Sequence, residues 1–142
     1  MVDYRKDAHT VYDIKYHVVW VTKYRYQILK GPIGYRLRDL LKQGCETMGI
    51  AVVKRNITTD NVHMLLSCPT SMAPAKIVQY LKGESSKLIQ DEFPEFKKRY
   101  GGQHLWARGY FCATVGSVIE EMIKQYIENQ GKDEEDTFKV TE

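Results

Sequence analysis

Two short stretches of this 142-residue chain carry side chains able to make and break a bond. Toward the C-terminus, Lys124-Gln125-Tyr126-Ile127-Glu128-Asn129-Gln130 lies in a segment of helical period. There Ile119, Met122, Ile123, Tyr126, Ile127 and Gln130 recur at the i, i+3, i+4 spacing of one face. Tyr126 and Gln130 are four apart, so a phenol and a carboxamide project side by side, a pairing that suits a nucleophile and a metal ligand. The plainer reading makes Tyr126 a core aromatic with its hydroxyl at the edge. The second stretch, Asp60-Asn61-Val62-His63-Met64, opens a strand. Val62, Met64, Leu66 and Cys68 share its apolar face, and Asn61, His63, Leu65 and Ser67 share the other. A histidine in such a place, taken alone, is more often structural than a ligand.

The elements that must position these groups follow from periodicity. Asp13 to Val21 alternates, with Ile14, Tyr16, Val18 and Trp20 on one face and Lys15, His17, Val19 and Val21 on the other. The basic and aromatic run Thr22-Lys23-Tyr24-Arg25-Tyr26-Gln27 reads equally as a solvated strand end or as a phosphate-contacting, base-stacking surface. Gly31-Pro32 starts a helix with Ile33, Leu37, Leu40, Leu41, Cys45 and Met48 at helical spacing, and Gly49 stops it. Strands are predicted over Ile50 to Ile57 and Asn61 to Cys68. Ser71-Met72-Ala73-Pro74 reads as a capped helix start, with Ile77, Leu81 and Leu88 on the buried stripe and Phe93-Pro94 at the end. Lys97-Lys98-Arg99-Tyr100-Gly101-Gly102 reads as a basic loop, and Leu105 to Val115 as the last strand before the Tyr126 helix. The order β-α-β-β-α-β-α predicts an α+β, ferredoxin-like (RRM-like) antiparallel sheet with helices on one face plus an extra C-terminal helix carrying the tyrosine.

Composition narrows the function classes. The length suits one domain, residues 1–130, and 43% hydrophobic content suffices for a core. No apolar run is long enough to span a membrane, and the N-terminus lacks a signal-peptide core. Three scattered cysteines, Cys45, Cys68 and Cys112, form no C-x-x-C and read as buried free thiols in a reducing cytoplasm. Residues 131–142 hold two lysines and five acids, which predicts an acidic flexible tail. The body then carries 19 bases and 13 acids, a net +6 that permits a polyanionic partner.

Five blocks in order resemble the IS200/IS605-family transposases, the single-tyrosine members of the HUH endonuclease superfamily. They are Lys15-Tyr16-His17-Val18-Val19-Trp20 with Lys23-Tyr24-Arg25, Asp60-Asn61-Val62-His63-Met64-Leu65-Leu66, Tyr80-Leu81-Lys82-Gly83 with Ser85-Ser86, Leu105-Trp106-Ala107-Arg108-Gly109-Tyr110 with Thr114-Val115-Gly116, and Gln125-Tyr126-Ile127-Glu128-Asn129-Gln130. The resemblance implies a DNA transposase that cleaves and rejoins single-stranded DNA through a 5′-phosphotyrosine at Tyr126, acting on hairpin-bearing insertion-sequence ends. It implies a divalent metal (Mg²⁺ or Mn²⁺) held by His63, Gln130 and Asn61. His17, which matches a family block on the same type of sheet face, reads as a residue that orients a neighbour or contacts phosphate, or as a packed histidine. It also implies a homodimer in which the tyrosine helix completes the site of its own or the other subunit. Lys23, Arg25, Lys54, Arg55, Lys82, Lys87 and Arg108 are the expected DNA contacts. The chain departs from the family at Asn61, where the first histidine of the HUH motif belongs. Three readings follow: a substitution that weakens the enzyme, a variant whose amide oxygen still binds a hard cation such as Mg²⁺, or a silent relative that binds hairpins without cutting.

Overall fold

The computed structural model of the chain describes residues 4–6, 9–117, 119–131 and 140–141. Its centre is the pair β3 (Lys15–Val21) and β5 (Asn61–Ser67), antiparallel along their whole length, with Val19 opposite His63 and His17 opposite Leu65. The predicted alternation holds in both strands. Val18 and Trp20 of β3 and Val62, Met64 and Leu66 of β5 enter one large core. α1 (Pro32–Thr47) and α2 (Pro74–Glu92) cover that core with Leu37, Leu40, Leu41, Ile77, Val78, Leu81 and Ile89. The two helices approach closely at Gly44, where an added Cβ would meet the Leu81 Cδ2 at 2.9 Å. The N-terminal strands β1 (Arg5–Lys6) and β2 (Val11–Tyr12) form a separate two-residue ladder.

β4 (Ala51–Ile57) flanks β5, and β6 (Phe111–Thr114) flanks β3. The short β7 (Val140–Thr141) pairs with β4, giving the order β6-β3-β5-β4-β7. A bulge at Val53 interrupts the β4–β5 register. Val53 joins a small cluster with Leu65 on the open face of the sheet. After it, Lys54 and Asn56 pair with Leu65 and His63 on that open face, while Arg55 and Ile57 pair with Met64 and Val62 on the helix side. The bulge therefore decides which β4 residues stand beside His63. The open face is covered in part by α4 (Glu120–Glu128), whose fully buried Ile127 packs with Leu65 and Val115. The architecture is the predicted one, an antiparallel sheet with two helices on one face and the tyrosine helix added on the other.

Several local expectations are corrected. Leu105 to Val115 is not one strand: only Phe111–Thr114 pairs with β3, beyond a single bridge from Thr22 to Trp106. The polar groups of the preceding stretch are met by α2 instead. Ser86 Oγ accepts from the Leu105 amide and Ser85 Oγ from the Trp106 indole, while the Lys82 ammonium donates to the Ala107 and Gly109 carbonyls at 2.8 and 2.9 Å. Gly109, at φ +80°, then turns the chain into β6. The run Lys97–Tyr100 is not loop but the last part of α3 (Pro94–Tyr100), which ends at the left-handed Gly101. α2 begins at Pro74 with no side-chain cap, so the Ser71 hydroxyl does not close it. Cys45 and Cys68 are buried free thiols, their pKa values pushed up by burial to about 12, whereas Cys112 is only half-buried. The expected tail runs through residues 132–139, which lie outside the described residues. No helix among those described is long and apolar enough to cross a membrane.

Candidate active site

On the open face, β3 presents His17 and β5 presents His63, diagonal neighbours on adjacent antiparallel strands. Their imidazoles lie 5.8 Å apart, stacked. The Tyr126 ring from α4 of the same chain stands edge-on to both, 5.8 Å from His17 and 6.0 Å from His63. The sequence separation of 63 residues between His63 and Tyr126 thus closes to ring contact within one chain. Tyr126 is 51% exposed, so its ring is open to a large substrate and not sealed in the core. An open cavity of about 400 Å³ runs between these rings, walled by His17, Val19, His63, Phe111, Ile123 and Tyr126.

Both histidines are buried, and each keeps a sealed ring nitrogen without a hydrogen-bond partner: Nε2 of His17 and Nδ1 of His63. Burial lowers the pKa of His17. Burial, and secondly the charge of His17, lower that of His63 to about 4. Both rings are therefore neutral at pH 7, the form that ligates metals. Asn61 donates from Nδ2 to Asp60 Oδ1 at 2.7 Å, and its Oδ1 is buried and unpartnered. The other Asp60 oxygen pairs with Arg25 at 3.1 Å, which ties the Lys23-Tyr24-Arg25 turn to Asn61. Sequence-expected Gln130 is placed differently. Its carboxamide donates to the Tyr126 carbonyl of its own helix end, and neither Gln130 nor Asn61 is among the cavity walls. Among the described residues no group of three His, Cys, Asp or Glu is assembled for a metal, so a cation here would rest on imidazole and neutral oxygen donors. The sealed, unpartnered nitrogens of His17 and His63 fit that role, whereas the unpartnered Asn61 oxygen belongs to a residue outside the cavity walls.

Two anchors that sequence pattern did not reveal hold the tyrosine helix. At its C-terminal end, the buried Asn56 side chain donates from Nδ2 to the carbonyls of Ile127 (2.6 Å), Gln130 (3.1 Å) and Glu128 (3.3 Å). The Ile127 and Glu128 carbonyls are acceptors that a helix end leaves unsatisfied, and Asn56 stands directly across from His63. Asn56→Asp keeps the shape but faces three carbonyls with an anion. We expect faster amide hydrogen exchange across residues 120–130 and a loss of about 1–3 kcal/mol in their opening free energy; unchanged exchange there would refute the anchor. At the N-terminal end, buried Lys15 pairs with Asp13 and, at 2.8 Å, with Glu120.

The expected DNA contacts divide. Lys23, Tyr24 and Arg25 form a turn in which Tyr24 and Arg25 both adopt positive φ and Tyr24 is 73% exposed. Such left-handed backbone is costly for side-chain-bearing residues and is tolerated where function needs it. Arg99 covers the Tyr26 ring at 4.9 Å. Lys87 and Arg108 are exposed. Arg55, Lys82 and Lys54 are engaged within the fold. The bulge turns Arg55 into the helix side, where it is 1% exposed. The Lys82 ammonium is spent on two carbonyls, and Lys54 pairs with Glu128 of the tyrosine helix at 3.6 Å.

The fold places the chain among transposases. A solved Deinococcus radiodurans chain described as a transposase superposes with a TM-score of 0.73 at 34% identity, covering 89% of this chain and 97% of that one. A REP-associated tyrosine transposase bound to a REP hairpin shares the fold alone, with a TM-score of 0.62 at 13% identity over 95% and 75% of the two chains. The family described as "Transposase IS200 like" matches residues 10–130, and this chain belongs to it. It is 34% identical over 130 residues to the transposase for insertion sequence element IS200 of Salmonella typhimurium, covering 92% of this chain and 85% of the relative. It is 33% identical to the ISDra2 transposase TnpA of Deinococcus radiodurans, over 91% and 92% respectively.

Proposed function

We propose that this transposase cuts and rejoins single-stranded DNA at hairpin-bearing insertion-sequence ends, with Tyr126 as nucleophile. The observation that carries the reading is the half-exposed Tyr126 ring set 5.8 and 6.0 Å from two buried imidazoles on the open face. The Tyr126 phenol oxygen attacks phosphorus and gives up its proton. The P–O bond to the 3′ side breaks, and that oxygen leaves as a 3′-hydroxyl. The 5′-phosphate stays on Tyr126 as a phosphodiester, so a second 3′-hydroxyl can attack the same phosphorus and free the phenol. A divalent cation at the imidazoles, Mg²⁺ or Mn²⁺, would polarise the phosphate oxygens and favour the phenolate. The Lys23-Tyr24-Arg25 turn, Arg108 and Lys87 bind the strand and its hairpin, and a homodimer holds two ends together. The hairpin in the REP-associated transposase supports this choice of partner.

The substitution at Asn61 motivates a second reading, a silent hairpin binder. A labelled single-stranded element end incubated with Mn²⁺ or Mg²⁺ separates the two. A covalent adduct mapped by peptide mass spectrometry to Tyr126 is expected. Hairpin binding with no adduct, and an adduct appearing only in Asn61→His, would instead establish the silent form.

A further inference from the structure

We propose that His17 is the second imidazole ligand of the divalent cation, in the role that Asn61 has lost. The inference rests on the cation reading above and names which side chains of this chain hold the ion. The family pattern would pair His63 with residue 61, two along the same strand. Here that residue is an asparagine whose amide nitrogen is committed to Asp60 and which does not wall the cavity. His17 does wall it, together with His63 and Tyr126.

Three observations on His17 converge. It is 5% exposed and His63 is 6% exposed, yet each holds a sealed ring nitrogen with no partner. Buried polar atoms are normally satisfied, so two orphan nitrogens beside one cavity point to a ligand that completes them. The spacing also fits. With metal–nitrogen bonds of about 2.1 Å and a ring nitrogen about 1.1 Å from its centroid, two imidazoles sharing an ion have centroids at most about 6.4 Å apart. The observed 5.8 Å lies inside that limit, and turning the two rings out of their stacked arrangement would aim both nitrogens at one ion without moving either strand. The frame is stiff as well, because both residues sit in the middle of the fully paired β3–β5 ladder. Gln130 offers no comparable donor as placed, since its carboxamide closes on its own helix.

The donor set has a consequence for the metal. An Asn61-based site with one imidazole would favour the oxygen-seeking Mg²⁺. Two nitrogens shift the preference toward Mn²⁺ and later transition ions.

The test measures binding of Mn²⁺ alone to the full chain without DNA, by the electron paramagnetic resonance of the free ion. His17→Gln is compared with His17→Ala, Asn61→Ala and His63→Ala, with thermal unfolding in chelator as the folding control. His17→Gln preserves most of the side-chain volume, so it reports on the donor even where His17→Ala unfolds. Both His17 variants and His63→Ala are expected to weaken Mn²⁺ binding at least about 10-fold, and Asn61→Ala less than about 3-fold. In the ring-proton NMR of the four histidines, substoichiometric Mn²⁺ is expected to broaden His17 and His63 before His104. Wild-type affinity in folded His17 variants, with loss in His63→Ala, would overturn the role of His17 and leave the cation reading intact. Absence of Mn²⁺ binding by the wild-type chain would overturn both.

Discussion

Tyr126→Phe is expected to abolish the covalent protein–DNA adduct, lowering its rate of formation by roughly 10³-fold or more, because in the proposed reaction the Tyr126 phenol supplies the attacking oxygen. The substitution removes one atom and keeps the ring, so the edge-on contacts with His17 and His63 remain. The ring is half-exposed, so folding stability should shift by less than about 0.5 kcal/mol. Hairpin affinity should not change, since the exposed basic turn at Lys23 to Arg25 is untouched. Denaturing electrophoresis of a labelled strand, beside a binding isotherm on the same preparation, reads both quantities. An adduct that persists in the phenylalanine variant would remove Tyr126 from the chemistry.

Lys15→Met should destabilise the fold strongly. Lys15 is 3% exposed and pairs with Asp13 and Glu120, themselves nearly buried. Removing the cation leaves two buried carboxylates facing each other, a loss of about 3–5 kcal/mol. The loss falls on the tyrosine helix, because Glu120 is its first residue and also binds Lys124 at 3.1 Å. Replacing all three charges, with Asp13→Asn and Glu120→Gln added to Lys15→Met, is expected to recover most of the stability, as neutral buried groups carry no such penalty. A single variant as stable as the wild type in urea unfolding would show that the network contributes nothing.

The same network sets a pH window. Burial alone would raise the Glu120 pKa, but the hydrogen bonds and charges of Lys15 and Lys124 outweigh it and leave it below its usual 4.5. Burial alone would lower that of Lys15, but Asp13 and Glu120 outweigh it and leave it above 10.5. The Glu120 contribution is complete above pH 4.5 and is lost as pH falls through its lower folded value. The Lys15 contribution is complete below pH 10.5 and is lost as pH rises through its higher folded value. Hydrogen exchange or near-ultraviolet signals from the tyrosine helix should report loosening at those two extremes, with a plateau between.

What the residues encoded locally was read correctly because it depends on a period of two or of 3.6. Alternation in β3 and β5 assigned Val18, Trp20, Val62, Met64 and Leu66 to the core and His17 and His63 to the open face. The i, i+4 pattern put Tyr126 one turn from Ile123 and next to Ile127, the residue that docks the helix. The five family blocks added the expectation that Tyr126 and His63 meet, within one chain or between two. Where expectations failed, a partner distant in sequence had decided. The ladder predicted from Leu105 onward gave way to bonds from Ser85, Ser86 and Lys82, which no window around Leu105 contains.

Sequence by itself therefore determined the layers and the strand faces, since each follows from spacing along one chain segment, while the family resemblance singled out His63 and Tyr126 as candidate ligand and nucleophile. Tertiary structure alone decided that Arg55 is buried while Asn56 caps the tyrosine helix, that Lys15 locks its other end, and that His17, rather than Asn61 or Gln130, shares a cavity with His63. The reason is geometric. A one-residue bulge re-aims every side chain after it, and a helix end or an ion pair is satisfied by whichever group packing brings near, a choice made across the fold and not along the chain.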